Sequence, residues 1–314
     1  MQSPHKRPWL ILVGPTSVGK TSVAEAMALT LRTDIIVADS RQVYQGMDIA
    51  TNKPSAASRQ KIRRHLIDLI SPHTPFSAGA YKRAAQEVIV SLEKEGKPIL
   101  IEGGTGLYIR ALLYGLWNSP PKDIALWQTF SDMEKRGESL HQKLIEVDPA
   151  SAKKIHVKDR YKIGRALEVF YSTGQPLSSF HAQHQLKKDP IPPFTMIGLR
   201  RDRATLYRRI EERVDQQFQE GLVEETQRLI GMSLALPSMR ALGYKQVIPY
   251  LQGTRTLDEA ISLVKRDTRH YAKRQMTWFS ADKNIRWLDL KENESPEEAC
   301  RRIKGGCSAT VCFL

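Results

Sequence analysis

The stretch Gly14–Thr21 has the residue types and the spacing that bind a diphosphate. Its residues are Gly14, Pro15, Thr16, Ser17, Val18, Gly19, Lys20 and Thr21. They match the pattern G-x-x-x-x-G-K-[ST], in which backbone amides surround a diphosphate, the lysine neutralises it and the hydroxyl holds Mg²⁺. An apolar run, Trp9–Val13, precedes the loop and a helical pattern follows from Ser22, whereas a glycine-rich turn with an exposed lysine usually lacks both flanks. The sequence therefore predicts a diphosphate site with Thr21 as the metal ligand.

Polar residues follow two further apolar runs, as they do at the carboxyl ends of buried strands. After Asp34–Ala38 come Asp39, Ser40, Arg41, Gln42 and Tyr44, and after Pro98–Ile101 comes a glycine-rich segment that contains Glu102 and Thr105. Ligands bind at this end of an open parallel sheet, so we expect Asp39 and the Thr105 hydroxyl to face the bound phosphates. The alternative for Asp39 is a helix-capping or turn aspartate.

Later segments combine cations with aromatic residues. Arg209 and Arg213 lie one helical turn apart, so both guanidinium groups can reach the same anion. The other candidates for a surface that binds phosphates and bases are Asp159, Arg160, Tyr161, Lys162, Ile163, Arg240, Gly243, Tyr244, Lys245, Lys273, Arg274, Gln275 and Trp278. Stacking surfaces beside cations suit an unpaired nucleic-acid loop. Each segment alone is also consistent with a solvated helix face or a core aromatic.

The charge of the chain favours a polyanionic partner. There are 48 Lys plus Arg against 34 Asp plus Glu, a net charge of +14. An enzyme for a small phosphorylated substrate needs only a few cations in one cleft, so the surplus points to nucleic acid rather than to a merely basic surface. No apolar run approaches the roughly 20 residues of a membrane span, and the start has no secretory signal pattern. With only Cys300, Cys307 and Cys312 as cysteines, we expect a cytoplasmic protein with no membrane partner.

The order of apolar runs predicts an α/β fold. Strand-like and helical patterns alternate up to Leu116, which indicates a doubly wound parallel sheet of the P-loop type. From Asn118 the pattern becomes helical, and prolines bound this block until a strand-like run at Phe194–Leu199. We therefore predict a core in two parts, 1–118 and 194–290, a helical insertion at 119–193 and a tail at 291–314.

The ordered set of motifs resembles the tRNA dimethylallyltransferase family, the isopentenyl transferases that modify the adenosine next to the anticodon. The resemblance runs from about Pro8 to about Leu288 and includes GPTSVGKT, ADSRQVY, TNKP, HLID, GGTGLYIRALL, RRIEERVD, RALGYKQ and KRQMTWF. One such motif is weak evidence, but the ordered set is specific.

The resemblance implies both the reaction and the partners. It implies dimethylallyl diphosphate as donor, the exocyclic amine of an adenine in the tRNA anticodon stem-loop as acceptor, and pyrophosphate as product. Asp39 would accept the amine proton, while Lys20, Mg²⁺ on Thr21, Thr105, Arg209 and Arg213 would stabilise the departing pyrophosphate. The resemblance also implies that the tRNA contacts Asp39, Ser40, Arg41, Gln42, Tyr44 and Thr105. We expect a monomer.

Two residues depart from the family pattern. Ala50 stands where a glycine commonly precedes Thr-x-Lys-Pro, and Glu102 stands where the strand usually stays apolar or has glycine. Either Glu102 lies near the metal, so that Glu102→Gln raises the Mg²⁺ requirement, or it turns away and the substitution has no effect.

Two other classes of protein compete with the transferase. A P-loop small-molecule kinase would bind ATP in Gly14–Thr21 and use Arg209 and Arg213 as lid arginines, but it needs no surplus of cations. A non-catalytic RNA-binding module leaves the phosphate loop and Asp39 unexplained.

Overall fold

The computed structural model describes residues 8–117, 120–186, 192–232 and 237–305. The strands are β1 (Trp9–Val13), β2 (Ile35–Ala38), β3 (Arg64–His65), β4 (Leu100–Gly103), β5 (Phe194–Arg200) and β6 (Ile285–Asp289). The first helices are α1 (Lys20–Leu31), α2 (Ala56–Lys61), α3 (Ala78–Lys94) and α4 (Gly106–Tyr114). Next come α5 (Ile124–Lys135), α6 (Leu140–Val147), α7 (Pro149–Ala152), α8 (Arg160–Thr173) and α9 (Leu177–Leu186). The last are α10 (Arg203–Gln219), α11 (Leu222–Met232), α12 (Tyr244–Leu251), α13 (Leu257–Ser280) and α14 (Pro296–Gly305), with a 3₁₀ helix at Pro237–Arg240.

The six strands form one parallel sheet in the order β3-β2-β4-β1-β5-β6. Leu10, Leu12, Ile35 and Leu100 from the central strands are fully buried and pack with helices α1, α10 and α14 in one core. Because all strands run in the same direction, the loops after β1, β2 and β4 meet at one edge of the sheet. The predicted α/β architecture is confirmed.

The apolar run Leu66–Ile70 has the residue types of a short strand, but the structure does not form one there. The third strand is Arg64–His65, paired with Ile35 and Ile36, and the chain leaves it in a tight turn. Leu66 and Asp68 have positive φ angles of 66° and 50°, which a continuing strand cannot accommodate. Of this stretch only Ile70 makes a β-type pairing, an isolated bridge with Tyr44. Strand β6 was not predicted, and β4 extends past Ile101 to include Glu102.

The chain divides into two compact units. One comprises the described residues of Met1–Leu113 and Pro192–Leu314 and contains the sheet, while the other comprises those of Tyr114–Ile191. The second unit is helical over its described residues, and Phe130, Leu144, Ile163 and Leu167 lie in its own core. Cys300 is a buried, free thiol on α14, whereas Cys307 and Cys312 lie outside the described residues.

Candidate active site

The phosphate loop Gly14–Thr21 connects β1 to α1 with the backbone that the motif requires. Gly14 has a φ of 148°, and a Cβ there would lie 2.6 Å from the Leu199 carbonyl oxygen of the neighbouring strand. Gly19 precedes α1 with a φ of 107°, a conformation that disfavours any other residue. The amides that begin α1 therefore point into the loop, as a bound anion needs.

Lys20 lies partly buried at the end of this loop, where α1 begins. Its Nζ donates to the Pro15 carbonyl oxygen at 2.8 Å. Burial lowers the pKa of the Lys20 ammonium to about 8, although attraction to the Glu102 and Asp39 carboxylates counteracts part of that shift. Lys20, Asp39 and Glu102 line the same cleft, so the ends of β1, β2 and β4 converge on one site.

Thr21 faces Glu102 at the end of β4. The Thr21 hydroxyl donates to Glu102 Oε1 at 3.0 Å. The other carboxylate oxygen accepts from Arg64 Nη1 at 3.4 Å, and the Arg64 side chain is fully buried. Glu102 is therefore turned toward the phosphate loop rather than away from it.

Three arginines close the other side of the loop. Arg213 Nη1 donates to Thr16 Oγ1 at 3.3 Å and Ser17 Oγ at 3.4 Å, and its Nε donates to Asn52 Oδ1. Burial lowers the pKa of Arg213 to about 10. Arg209 Nε donates to the Ser17 carbonyl oxygen at 3.1 Å, so both predicted arginines reach the loop.

Arg201 is a third loop arginine that sequence reasoning did not identify. Its Nε donates to the Val18 carbonyl oxygen at 3.0 Å, and burial and Arg209 lower its pKa. The sequence position of Arg201 could have identified it, because Arg201 directly follows β5 and ligand-facing residues occur at that end of a parallel sheet.

Asp39 begins the turn after β2 and keeps one carboxylate oxygen available. Oδ1 accepts from the amides of Arg41 at 2.7 Å and Gln42 at 3.3 Å. Among the described residues Oδ2 has no hydrogen-bond donor. Asp39 therefore serves as a turn aspartate and also presents an oxygen to the cleft that it lines.

Thr105 and Gln42 fix the segments around Asp39. Thr105 Oγ1 accepts from the Ser40 amide at 3.0 Å and so joins the segment after β4 to the turn after β2. Thr105 itself is not among the residues that line the cleft, so the phosphate contact predicted for its hydroxyl is not supported. Gln42 Nε2 donates to the carbonyl oxygens of Thr51 at 3.1 Å and Asn52 at 3.3 Å, so its amide nitrogen is occupied within the protein.

Gln275 joins the phosphate loop to the glycine segment after β4. Its Oε1 accepts from the Thr16 amide at 2.8 Å, and its Nε2 donates to the Gly104 carbonyl oxygen at 2.9 Å. The tRNA contact predicted for Gln275 is thus not supported, because the side chain is buried and both ends of its amide are used. One turn along α13, Trp278 packs its indole against Gly106, where a Cβ would lie 2.0 Å from Nε1, and remains 47% exposed.

A single open cleft of about 980 Å³ brings many of the predicted residues together. Its lining includes Thr16, Ser17, Gly19, Lys20, Thr21, Asp39, Ser40, Arg41, Gln42, Glu102, Arg209, Arg213, Arg240, Gly243, Lys245, Arg274 and Gln275. All of these residues belong to the unit that contains the sheet. Arg240, Lys245 and Arg274 line the cleft and are exposed, so they are available to phosphates. Lys273 is exposed beside Arg274 on α13 but does not line the cleft.

Two residues predicted to bind tRNA are core residues instead. Tyr244 is 0% exposed and Tyr44 is 5% exposed, and both pack in the apolar cluster around Met47 and Val247. The Tyr244 hydroxyl donates to Glu225 Oε1 at 2.7 Å, and burial together with that carboxylate raises its pKa. Neither ring offers a face to a base, so the tRNA contacts predicted for Tyr44 and Tyr244 are not supported.

Glu225 also holds the loop that contains Ala50, and Gly243 leaves room for the alanine side chain. Its carboxylate accepts from the amides of Asp48 at 2.9 Å, Ile49 at 2.9 Å and Ala50 at 3.2 Å. A Cβ at Gly243 would lie 2.9 Å from the Ala50 Cβ, so the glycine makes room for the alanine.

The predicted residues of the helical unit lie on the start of α8. Asp159 accepts from the Lys162 amide at 3.2 Å and pairs with the Lys162 ammonium at 2.7 Å, while Arg160 pairs with Glu134. Tyr161 is 67% exposed and stacks on Trp127. Ile163 is 2% exposed, so the contact predicted for its side chain is not supported.

The cleft offers few protein oxygens to a metal ion, which suits Mg²⁺ coordinated mainly by diphosphate oxygens and water. The described residues contain no group of three or more His, Cys, Asp or Glu side chains that could hold a metal ion. Mg²⁺ does not need one, because it commonly takes one or two protein oxygens and completes its shell with phosphate oxygens and water. Across the described residues, no helix combines the length and the apolarity that crossing a bilayer requires.

A parallel sheet with a phosphate loop after its first strand, and polar residues at the ends of the neighbouring strands, defines the P-loop class. Within that class, residues 42–282 match the family described as IPP transferase. A protein named tRNA dimethylallyltransferase 2 from Geotalea uraniireducens (strain Rf4) is 45% identical over 288 residues, which cover 90% of this chain and 93% of that protein. The chain therefore belongs to the IPP transferase family.

Solved structures agree with this assignment. The tRNA delta(2)-isopentenylpyrophosphate transferase of Staphylococcus epidermidis has a TM-score of 0.69 and 36% identity, covering 95% of this chain and 98% of that one. A eukaryotic dimethylallyltransferase whose structures are described as acting on tRNA has a TM-score of 0.77 at 23% identity, covering 95% and 78% of the two chains. The second likeness shows the shared fold.

Proposed function

We propose that this protein transfers a dimethylallyl group from dimethylallyl diphosphate to the exocyclic amine of an adenosine next to the anticodon of tRNA. One observation carries the proposal: the phosphate loop with Lys20 and the carboxylate of Asp39 line the same cleft. That cleft combines a site for a diphosphate leaving group with a base for the attacking amine. The names of the similar proteins identify the two substrates to test.

The transfer requires a base for the amine on one side of the cleft and a site for the leaving group on the other. The amine nitrogen forms a bond to C1 of the dimethylallyl group as the bond from C1 to the diphosphate oxygen breaks. The amine proton passes to Asp39 Oδ2, and the electron pair leaves with pyrophosphate. Lys20, Arg213, Arg209 and the loop amides stabilise the charge that builds on the leaving group.

Magnesium completes the proposed diphosphate site. The Thr21 hydroxyl would hold Mg²⁺, which neutralises oxygens of the diphosphate when bound. We propose Mg²⁺ as the cofactor, a monomer as the working unit and the cytoplasm as its location.

One assay separates the transferase from the kinase and from a binding module. The protein is incubated with ¹⁴C-labelled dimethylallyl diphosphate, γ-³²P-labelled ATP and bulk tRNA. We expect ¹⁴C in tRNA and no transfer of ³²P, because the cleft pairs a leaving-group site with a base for an amine. Transfer of ³²P to a small molecule would indicate the kinase, and tRNA binding without either label would indicate the module.

The exposed cations in and beside the cleft predict a steep dependence of tRNA affinity on salt. The variants Arg240→Gln, Lys245→Gln, Lys273→Gln and Arg274→Gln should each weaken binding and flatten the plot of log K against log[salt] by about 0.7 per lost single-stranded phosphate contact. Filter binding or fluorescence anisotropy at several salt concentrations measures the slope. The control is Lys94→Gln, because Lys94 ends α3 just before β4 and so lies at the opposite edge of the sheet.

Trp278 supplies a comparison within the same titration. Trp278→Ala should reduce tRNA affinity by about 1 to 3 kcal/mol if a base stacks on the exposed indole, and leave the salt slope unchanged.

Wild-type slopes in all four cation variants would contradict this placement of the RNA surface.

A further inference from the structure

Glu102 is a buried carboxylate that the transfer chemistry does not use directly. It lies at the end of β4, opposite Leu12 of β1, and is only 6% exposed. A buried ionised carboxylate is costly unless it is paired and hydrogen-bonded. Its partners therefore indicate what it does.

Glu102 has two hydrogen-bonding partners, Arg64 and Thr21, and they have different roles. Arg64 Nη1 lies 3.4 Å from Oε2 and supplies the opposite charge, while Arg64 Nη2 donates to Glu25 Oε1 at 2.6 Å. Thr21 Oγ1 donates to Oε1 at 3.0 Å and supplies no charge. Arg64 thus pairs with the buried Glu102 side chain, and Glu102 determines the direction of the Thr21 O–H bond.

That direction decides whether Thr21 can bind a cation. A hydroxyl has one proton to donate and two lone pairs to offer. Because the proton points at Glu102, the lone pairs of Thr21 are left for the cleft. Without an acceptor at this position the hydroxyl is free to rotate and to donate its proton to the diphosphate instead.

We propose that Glu102, held by Arg64, is a positioning residue that orients the Thr21 hydroxyl to coordinate the divalent cation accompanying the diphosphate. This inference rests on the magnesium-assisted diphosphate site of the proposed function. Outer partners that orient a metal ligand typically change metal affinity about 10- to 100-fold when they are replaced.

The test measures the binding of inorganic pyrophosphate by calorimetry, with and without Mn²⁺ as a substitute for Mg²⁺. The gain in pyrophosphate affinity on adding Mn²⁺ reports the metal contribution and requires no turnover. In Glu102→Gln, we expect the amide oxygen to accept from Arg64 and the amide nitrogen to donate to Thr21. That hydrogen bond would occupy one lone pair of the Thr21 hydroxyl oxygen. The gain should fall about 10-fold, with pyrophosphate affinity in the absence of metal within about twofold of wild type.

The same substitution is also made in the Thr21→Val variant, which lacks the hydroxyl. If Glu102 acts through the hydroxyl, Glu102→Gln should cause no further loss of the Mn²⁺ gain in that background. Glu25→Gln is the control, since it alters the other carboxylate on Arg64 and leaves the Glu102 contacts in place. Should Glu102→Gln fail to fold, Glu102→Asp keeps the charge and withdraws the oxygen from Thr21, and it should show the same loss.

The outcomes separate this inference from the proposed function. A wild-type protein whose pyrophosphate affinity does not rise with Mn²⁺ contradicts the proposed metal site itself. A wild-type gain that Glu102→Gln leaves intact, or an equal loss in the Thr21→Val background, overturns the positioning role while leaving that site in place.

Discussion

Replacing Asp39 by asparagine should lower the turnover of prenyl transfer by on the order of 100-fold or more, and leave tRNA affinity within about twofold of wild type. The asparagine oxygen can still accept from the amides of Arg41 and Gln42, so the turn after β2 is retained. What the variant lacks is a carboxylate to receive the amine proton. Single-turnover transfer of labelled dimethylallyl to tRNA, with tRNA binding measured separately, gives both quantities.

The matched control for Asp39 is Glu212→Gln. Glu212 also lines the cleft, but its nearest cation is Arg208 at 3.9 Å and its side chain is 66% exposed. Its replacement removes one negative charge from the same cleft without touching the proposed base, so turnover should stay within a few fold. Similar losses in both variants would mean that cleft charge, and not proton transfer, explains the effect of Asp39.

The sequence predicts this site well where the signal is local. The phosphate loop is contiguous, and its glycines are required by backbone geometry that no other residue adopts easily. Asp39 was identified because it directly follows a buried strand, and chain direction alone places such residues at one edge of a parallel sheet. Arg209 and Arg213 needed only helical spacing.

Contacts between distant segments could not be predicted in this way. Tyr244 and Trp278 each lie beside cations in the sequence, yet one is 0% and the other 47% exposed. The difference depends on Glu225, which binds the Tyr244 hydroxyl, and on Gly106, which receives the Trp278 indole. No local pattern encodes either pairing.

The basic stretch Arg59–His65 is a second case in which the local sequence does not predict which side chain is buried. A run of cations is typical of a solvated face, but Arg64 belongs to strand β3 and its side chain is fully buried between Glu25 and Glu102. Burial of an arginine becomes tolerable only when carboxylates from other elements are in place. The partner of Glu102 therefore emerges from the assembled sheet and not from the spacing of residues.

Lys20→Met should weaken the binding of pyrophosphate in the presence of Mg²⁺ by on the order of 10- to 100-fold, the value of a hydrogen bond to a charged group. The loss should depend on pH, because burial lowers the pKa of Lys20 to about 8 in the free protein. Below that pH the ammonium is present before binding. Above it the lysine is mainly neutral, and binding must take up a proton, so affinity falls about tenfold per pH unit until the pKa of the complex is reached.

Calorimetry of pyrophosphate binding from pH 6.5 to 9.5 measures this dependence. The titration of pyrophosphate itself affects every variant equally, so the ratio of wild-type to Lys20→Met affinity isolates the lysine. That ratio should be largest below pH 8 and shrink above it, and buffers of different ionisation enthalpy should show more proton uptake near pH 9 in wild type than in Lys20→Met. Lys94→Met, at the opposite edge of the sheet, should follow the wild-type curve. Parallel curves for wild type and Lys20→Met would show that Lys20 does not titrate in this range and that burial is offset more fully by Glu102 and Asp39 than the geometry indicates.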